Sequence, residues 1–284
     1  MIDTVAAVGS APRRRLGEAS LLAAAGWAFI IFITTYMLIP VLVTAVMSFN
    51  SAAMVRFPLS GFSLRWYAGF LASPLWMDAL WNSIVVALGT TVVSASAGIL
   101  AAWAFSRYDL PFKNLLYLLI MMPLFLPGVV LGLGLAITFG GVQIAGVPLY
   151  GSRFLVVLGH SLWAMPLVFL LMEATFRTVD KRIVEASGDL GAGPVRTFFE
   201  IVLPMVSTGV FSSMLFALVI SLNEFMMALF LTNRDTQTLP VLMWLSLRSA
   251  GTPNLAVAAV VLAVTVFASL TLIALWHIRS LRRA

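Results

Sequence analysis

The fold of this chain is decided by stretches such as residues 20–49, which read SLLAAAGWAFIIFITTYMLIPVLVTAVMSF and contain no Asp, Glu, Lys or Arg. A helix needs about 20 apolar residues to cross the hydrocarbon core of a membrane, because each residue adds only about 1.5 Å. The stretch is also longer than the apolar region of a secretory signal, which has about 7–15 residues. It therefore predicts a permanent membrane anchor.

Five further stretches have the same character. They cover residues 79–106, 114–152, 154–172, 201–233 and 249–278, and the one charged residue among them is Glu224. The alternating segments of about 10 residues that a barrel requires are missing. We predict an all-α integral membrane protein with six spans, at 21–47, 79–104, 114–139, 154–172, 205–231 and 254–277. The membrane domain at 21–278 then lies between tails at 1–20 and 279–284.

The composition agrees with a membrane protein. Of the 284 residues, 61% are hydrophobic and 10% are charged, whereas soluble proteins carry about 25% charged residues. A soluble enzyme is therefore excluded. A nucleic-acid-binding domain is a poor alternative even though the net charge is +6.

The positions of the basic residues predict the orientation. Six spans put both termini on one side, together with Arg13, Arg14, Arg15, Arg107, Lys113, Arg177, Lys181, Arg182, Arg196, Arg279, Arg282 and Arg283. The other side holds Arg56, Arg65, Arg153, Arg234 and Arg248. Since basic residues concentrate on the cytoplasmic side, we expect cytoplasmic termini and a cytoplasmic loop at 173–204.

No catalytic motif is present. The lysines are Lys113 and Lys181, and neither follows a glycine as a nucleotide-binding P-loop requires. His160 and His277 stand alone, without the spacing of metal ligands, and cysteine is absent. We predict no catalytic residues, no metal site and no enzymatic activity in this chain.

The loop at 173–204 predicts two short helices joined by a turn. Gly191 suits the left-handed end of the first helix, and Pro194 suits the start of the second, roughly 194–200. The first helix has apolar residues at helical spacing, namely Val179, Ile183, Ala186 and Leu190. A helix pair of this kind can dock a partner, or it can lie on lipid headgroups.

The same loop resembles the EAA loop of ABC-transporter permeases that work with a solute-binding protein. The resemblance is carried by Glu185, Ala186, Ser187, Asp189, Leu190, Gly191, Ala192, Phe198, Leu203 and Pro204. Ser187 stands where the family usually has Ala. The resemblance implies that these residues couple the chain to a separate cytoplasmic ATPase.

Softer motifs extend the resemblance. They are Ser48-Phe49-Asn50, Gly61 to Tyr67, Asn82-Ser83 at the predicted start of the second helix, Ser221 to Phe225, and Thr238 to Val241. Together they are similar to the C-type permease subunit of spermidine/putrescine importers.

That resemblance implies a type I importer permease fold in the bacterial inner membrane, forming half of a translocation path. The implied partners are a second permease of similar fold, two cytoplasmic ATPase subunits that use ATP and Mg, and an external solute-binding protein. This chain itself would hold no cofactor. A polyamine is the favoured solute. The alternatives are another small amine or organic solute, or a self-contained secondary carrier or channel.

Glu224 is acidic within a predicted span, where a charge is costly and normally faces a cavity or a partner. It is expected in the substrate path as an acidic contact for a cation, with Asn223 and Ser221 as neutral hydrogen-bonding groups. The alternatives are a pair with a polar group on a neighbouring helix, or a protonated carboxyl group at the outer interface. His160 is expected to be a helix–helix contact rather than a ligand.

Two further segments carry structural predictions. Pro123 and Pro127 are expected to kink the third helix, while Gly128 and Gly132 permit close backbone packing. The apolar segment 238–250 is too short to cross, and we expect a re-entrant or interfacial helix near the external mouth that contacts the binding protein.

Overall fold

The computed structural model describes residues 14–52, 60–249 and 254–281. Its helices are α1 (Arg14–Met47), α2 (Arg65–Ala72), α3 (Pro74–Arg107), α4 (Lys113–Phe125), α5 (Gly128–Phe139), α6 (Arg153–Phe176), α7 (Lys181–Asp189), α8 (Pro194–Met205), α9 (Ser207–Asn223), α10 (Met226–Leu231), α11 (Leu239–Ser249) and α12 (Asn254–Leu281). Two short antiparallel strands, β1 (Gln143–Ile144) and β2 (Val147–Pro148), form a hairpin before α6.

Four helices are long and apolar enough to cross a membrane unaided, through Leu21–Met47 of α1, all of α3 and α6, and Asn254–Thr271 of α12. Two bent pairs supply the rest: α4 with α5, bent by 102°, and α8 with α9, bent by 80°. With each bent pair counted as one span, the described residues hold six. The predicted all-α membrane fold is confirmed.

The centre of the molecule is the packing of α3, α6 and α9 against one another. Glycines of α3 allow α3 and α6 to approach closely. A Cβ atom at Gly89 would lie 2.8 Å from a methyl group of Val157, and one at Gly98 would lie 2.8 Å from a methyl group of Val168. Small residues at such interfaces increase the packing contact between helices in lipid.

The predicted start of the second span is wrong. α3 begins at Pro74, which suits a first helical position because proline has no N–H to satisfy. Asn82 and Ser83 therefore lie well inside α3 instead of opening it. Pro204 lies within α8, and the bend toward α9 follows at Val206.

The kink in the third span is confirmed as a complete break. Leu126 is extended because the following Pro127 disfavours a helical conformation at that residue. Beyond the break, α5 packs on α10 through its glycines. A Cβ at Gly132 would lie only 3.0 Å from the Cα of Met227, so the predicted close approach is also confirmed.

Some predictions fall on residues outside the described ranges. They concern Arg13, Arg56, Ala250, Arg282 and Arg283. Within the predicted amino-terminal tail, α1 already begins at Arg14.

Candidate functional sites: an exposed helix pair and a broken helix

The helix α7 is defined by both of its ends. The Asp180 carboxylate accepts a hydrogen bond of 2.9 Å from the Arg182 N–H and caps the first turn. At the other end Gly191 has φ +84°, and the Ala192 N–H donates to the Ser187 carbonyl at 3.0 Å. This left-handed position favours glycine over other residues, as the sequence predicted.

A buried frame joins α7 to α8 and to the spans. The Ser187 and Thr197 hydroxyl oxygens are 2.9 Å apart, and both residues are buried. The Phe198 ring centroid lies 5.5 Å from that of Trp103 on α3. Leu203 packs against the same cluster. Ser187, Phe198 and Leu203 therefore lie beneath the surface of the helix pair.

Within α8, residues Thr197–Val202 form a π-helix. The wider turn lets Thr197, Phe198 and Val202 all point inward and be buried. The sequence analysis missed this segment, and it predicted an end near residue 200, whereas α8 continues to Met205. Short π segments are rare and are frequent at functional sites.

Three residues of the predicted apolar stripe face outward, whereas the fourth, Val179, packs against the core cluster. Leu190 is 89% exposed, Ile183 is 39% exposed and Ala186 is exposed, while Val184 takes the inner side. On α8, Val195 and Phe199 are 70% and 58% exposed. We call these five exposed residues, Ile183, Ala186, Leu190, Val195 and Phe199, the α7–α8 surface.

Charged residues flank the α7–α8 surface. Glu185 and Asp189 are exposed and form no ion pair with any described residue. Arg196 Nε lies 2.8 Å from the Glu200 carboxylate, whose hydrogen bond raises the pKa of that guanidinium. Pro204 is also exposed. The rim thus offers two unpaired carboxylates beside an apolar patch.

The second site is the end of α9. Glu224 has an extended backbone (φ −71°, ψ 129°) and separates α9 from α10, so it lies at a helix break and not within a continuous helix as predicted. Its Oε1 accepts a hydrogen bond from the Met227 N–H at 2.8 Å, and Oε2 accepts one from Ala228 at 3.0 Å. The carboxylate caps the first turn of α10.

His160 of α6 faces the same carboxylate. Its Nε2 lies 3.1 Å from Oε2 of Glu224, and its Nδ1 lies 2.8 Å from the Ser221 hydroxyl. Ser221 in turn donates to the Thr90 hydroxyl of α3 at 3.3 Å. His160 and Thr90 are fully buried. This His160–Glu224 network ties α3, α6, α9 and α10 together, and the expectation that His160 is a helix–helix contact is confirmed.

The structure does not bring the three predicted substrate-path residues to one surface. Ser221 and Glu224 are each 4% exposed and belong to the buried network. Asn223 is exposed, and among the described residues its amide donates only to the Val219 carbonyl of its own helix, at 2.8 Å. Of the three predicted residues, Asn223 alone is exposed.

The softer motifs pair with one another at the opposite end from α7. The Ser48 and Tyr67 hydroxyl oxygens are 2.7 Å apart, and the Trp66 indole donates to the Asn50 carbonyl at 3.0 Å. Similarly, the Ser83 hydroxyl accepts the Leu239 N–H at 2.7 Å. These motifs are therefore ties between distant segments of the chain.

The helix α11 begins at Leu239, the residue whose N–H donates to the Ser83 hydroxyl. Its residues Leu239 and Leu242 are buried against the fold, whereas Leu245 and Leu247 are 44% and 57% exposed. This agrees with the predicted short helix that does not cross.

Broken spans around a buried polar network, together with an exposed helix pair on an aromatic frame, define a helical membrane protein of the transporter class. The chain belongs to the family described as binding-protein-dependent transport system inner membrane component, whose model matches residues 94–283. It is thus a permease subunit of a binding-protein-dependent ABC importer, a multi-pass inner membrane protein and a non-catalytic component.

Curated relatives cover most of the chain. The putrescine transport system permease protein PotI of Escherichia coli (strain K12) is 31% identical over 233 residues, or 81% of this chain and 83% of that protein. The spermidine/putrescine transport system permease protein PotC of Haemophilus influenzae is 26% identical over 84% of this chain and 90% of its own length. A probable molybdenum ABC transporter permease of Haloferax volcanii is 31% identical over 62% of this chain and 66% of its own length.

Solved structures share the fold. A chain of a bacterial ABC transporter involved in the import of the acidic polysaccharide alginate superposes with a TM-score of 0.68 over 96% of this chain and 99% of that one, at 15% sequence identity. The same transporter type in complex with an alginate pentasaccharide-bound periplasmic protein also gives 0.68, over 89% and 94% of the two chains.

Proposed function

We propose that this permease imports a small cationic solute, a polyamine such as spermidine or putrescine, which an external binding protein delivers. Support for the solute comes from the relatives named for putrescine and spermidine transport. The chain would form half of the translocation path, with a second permease of similar fold forming the other half. The family membership speaks against a self-contained carrier or channel.

The α7–α8 surface is the proposed docking site of the ATPase, one of two such subunits. The observation that carries this proposal is an exposed apolar stripe above a buried frame: Leu190 is 89% exposed, and the Ser187–Thr197 contact lies beneath it. Exposed apolar patches of this kind mark interaction sites. Glu185 and Asp189 would pair with basic groups of the ATPase, while Gly191 and Ala192 shape the turn.

We propose that the α7–α8 surface and both termini lie in the cytoplasm. The basic residues around the ends of α3 and α6 support it, namely Arg107, Lys113, Arg177, Lys181, Arg182 and Arg196. Lys113 also donates to the Phe105 carbonyl at 2.6 Å, at the end of α3. ATP and Mg would be bound and used by the ATPase, which supplies the energy.

The proposed coupling is mechanical. Closure of the ATPases around ATP would displace α7, and the Ser187–Thr197 contact and the Phe198 ring would carry the movement into α8. Leu203 and Pro204 precede the bend at Val206, so α9 would move next and the break at Glu224 with it. The path would then open alternately to the two sides of the membrane.

The substrate path is proposed to run along the exposed side of this break. Asn223 would contact the solute there, since its side chain is exposed and, in the part of the chain that the structure describes, hydrogen-bonds only within its own helix. Ser221 and Glu224 would not contact the solute. They would hold the geometry of the break from their buried positions. α11 is the proposed contact for the binding protein, through its exposed Leu245 and Leu247.

A matched pair of variants tests the docking surface in the assembled transporter. Leu190→Asp puts a charge in the proposed contact. Phe112→Asp is the matched control, because Phe112 is similarly exposed, at 80%, but lies before α4. We expect Leu190→Asp to abolish ATPase co-purification and solute uptake, and Phe112→Asp to retain both. Equal behaviour of the two variants contradicts the docking assignment.

The solute is tested separately, with the binding protein supplied. Uptake of labelled putrescine and spermidine is compared with uptake of molybdate, because one relative is named for molybdenum. ATP-dependent uptake of a polyamine is expected. Uptake of molybdate without polyamine uptake overturns the cationic solute and leaves the ATPase coupling intact.

A further inference from the structure

A small cavity lies where the ends of α3 and α6 meet the start of α7. Its volume is about 110 Å³. A water molecule needs about 10–15 Å³ on the same measure, so there is room for a group of several heavy atoms. The cavity is lined by Trp103, Ser106, Arg107, Phe176, Arg177, Val179, Lys181 and Val184. We call it the basic pocket.

The basic pocket has a surplus of positive charge. Arg107, Arg177 and Lys181 line it, and its described lining includes no acidic residue. Glu173 lies 2.7 Å from Nη2 of Arg177 and neutralises that guanidinium, which keeps further N–H donors. Arg107 and Lys181 form no ion pair in the part of the chain that the structure describes, and Asp180, the neighbour of Lys181, caps the first turn of α7 instead. Two positive charges therefore border the pocket without a counter-charge among these residues.

The position of the pocket indicates which anion suits it. α3 and α6 are membrane-spanning helices that end at Arg107 and Phe176, so the pocket lies where the hydrocarbon core gives way to the headgroups. Its apolar wall contains Trp103 and Phe176, whose ring centroids are 5.3 Å apart. Basic pockets between helices at the membrane surface bind phosphate-bearing lipid headgroups, and the planar guanidinium of arginine matches phosphate oxygens with paired N–H donors.

We propose that the basic pocket binds a phosphate anion, carried by the headgroup of an acidic phospholipid or free in solution, through Arg107, Arg177 and Lys181. The bound group would lie against α3, the end of α6 and the start of α7, and would tie α7 to both spans. The pocket shares no residue with the α7–α8 surface, since Val184 lines the pocket whereas Leu190 is exposed outside it. Anion binding and ATPase docking can therefore occur together.

Binding is measured on the purified transporter in detergent, with a short-chain phosphatidylglycerol and with inorganic phosphate as the two probes. Arg107→Gln/Lys181→Gln removes the unpaired charges of the pocket. Arg182→Gln/Arg196→Gln is the matched control, because it removes the same charge from exposed positions that do not line the pocket. The affinity of the pocket variant should fall by about tenfold or more, whereas that of the control should stay close to the parent value. The measurement requires no transport, so it does not depend on the proposed function.

The two probes distinguish the sources of the phosphate. A loss of phosphatidylglycerol binding confined to the pocket variant supports a lipid headgroup, and the same pattern with inorganic phosphate alone supports a free anion. Equal affinities of the two variants, or no binding of either probe by the parent, overturn the proposal. It is also overturned if the pocket variant loses the ATPase while its anion binding is unchanged, since the pocket would then accept an acidic side chain of that subunit. Should the double variant fail to assemble, Arg107→Gln alone serves, because this exposed residue lies outside α7.

Discussion

Two helix breaks lie beside each other in this permease, and they are made by different means. Between α4 and α5 the chain breaks at Leu126, next to Pro127. Between α9 and α10 it breaks at Glu224, where no proline is near and a carboxylate takes over the free backbone donors. The break at Leu126 follows from the local sequence. The break at Glu224 also depends on residues that are distant in the sequence.

The helix α6 contacts both breaks. Trp163 of α6 donates its indole N–H to the Pro123 carbonyl at 3.0 Å, and His160, one turn earlier, faces Glu224. Backbone groups freed within a membrane need such partners because lipid offers none. The contrast teaches that the proline break should survive loss of its partner, whereas the carboxylate break should not.

The largest expected effect is the loss of Glu224. Glu224→Ala leaves the buried Met227 and Ala228 N–H groups without an acceptor and opens a cavity beside His160, and should destabilise the protein by about 3–5 kcal/mol. The neighbouring Asn223→Ala is the control and should change stability by about 0.5 kcal/mol or less. Thermal unfolding in detergent measures both, and equal losses would refute the contrast.

The second largest loss of stability is expected when the contact between α5 and α10 is disrupted. Gly132→Leu forces a side chain against the backbone of Met227, only 3.0 Å from its Cβ position, and should cost about 1–3 kcal/mol. A Cβ atom at Gly134, in the same helix, would have no packed neighbour within 4 Å, so Gly134→Leu should be better tolerated. A comparison of their melting temperatures decides whether α5 and α10 are in contact.

Loss of the tryptophan bond should be smaller. Trp163→Phe removes the hydrogen bond to the Pro123 carbonyl and keeps an aromatic ring, so we expect a loss of about 1 kcal/mol. The carbonyl also accepts the Leu126 N–H at 3.3 Å, which limits the penalty. A loss as large as that of Glu224→Ala would mean that the proline break depends on tertiary contacts too.

The smallest effect is expected at the proline itself. Pro127→Ala restores freedom to the unfolded chain and should cost about 0.4–1 kcal/mol. The break should persist because Gly128 and Gly132 still pack against α10. Transport and melting temperature should both stay close to those of the parent, and a loss of transport would show that the proline is needed at that place.

The sequence predicts what depends on local chemistry. Apolar stretches predict the spans, Gly191 predicts a left-handed turn, and Pro127 predicts a break. The buried role of Ser187 and the outward direction of the α7 stripe could not be predicted, because they depend on where α8 packs. The break at Glu224 was missed for the same reason: its stability comes from His160, which lies 64 residues earlier.

The first helix has a consequence for how the molecule is made. From Leu21 to Val43 the residues of α1 are exposed, and among the described helices its main contact is with α12, more than 200 residues later. Because a ribosome makes α1 well before α12, α1 enters the lipid long before this neighbour exists. It packs into the fold only after α12 has been made.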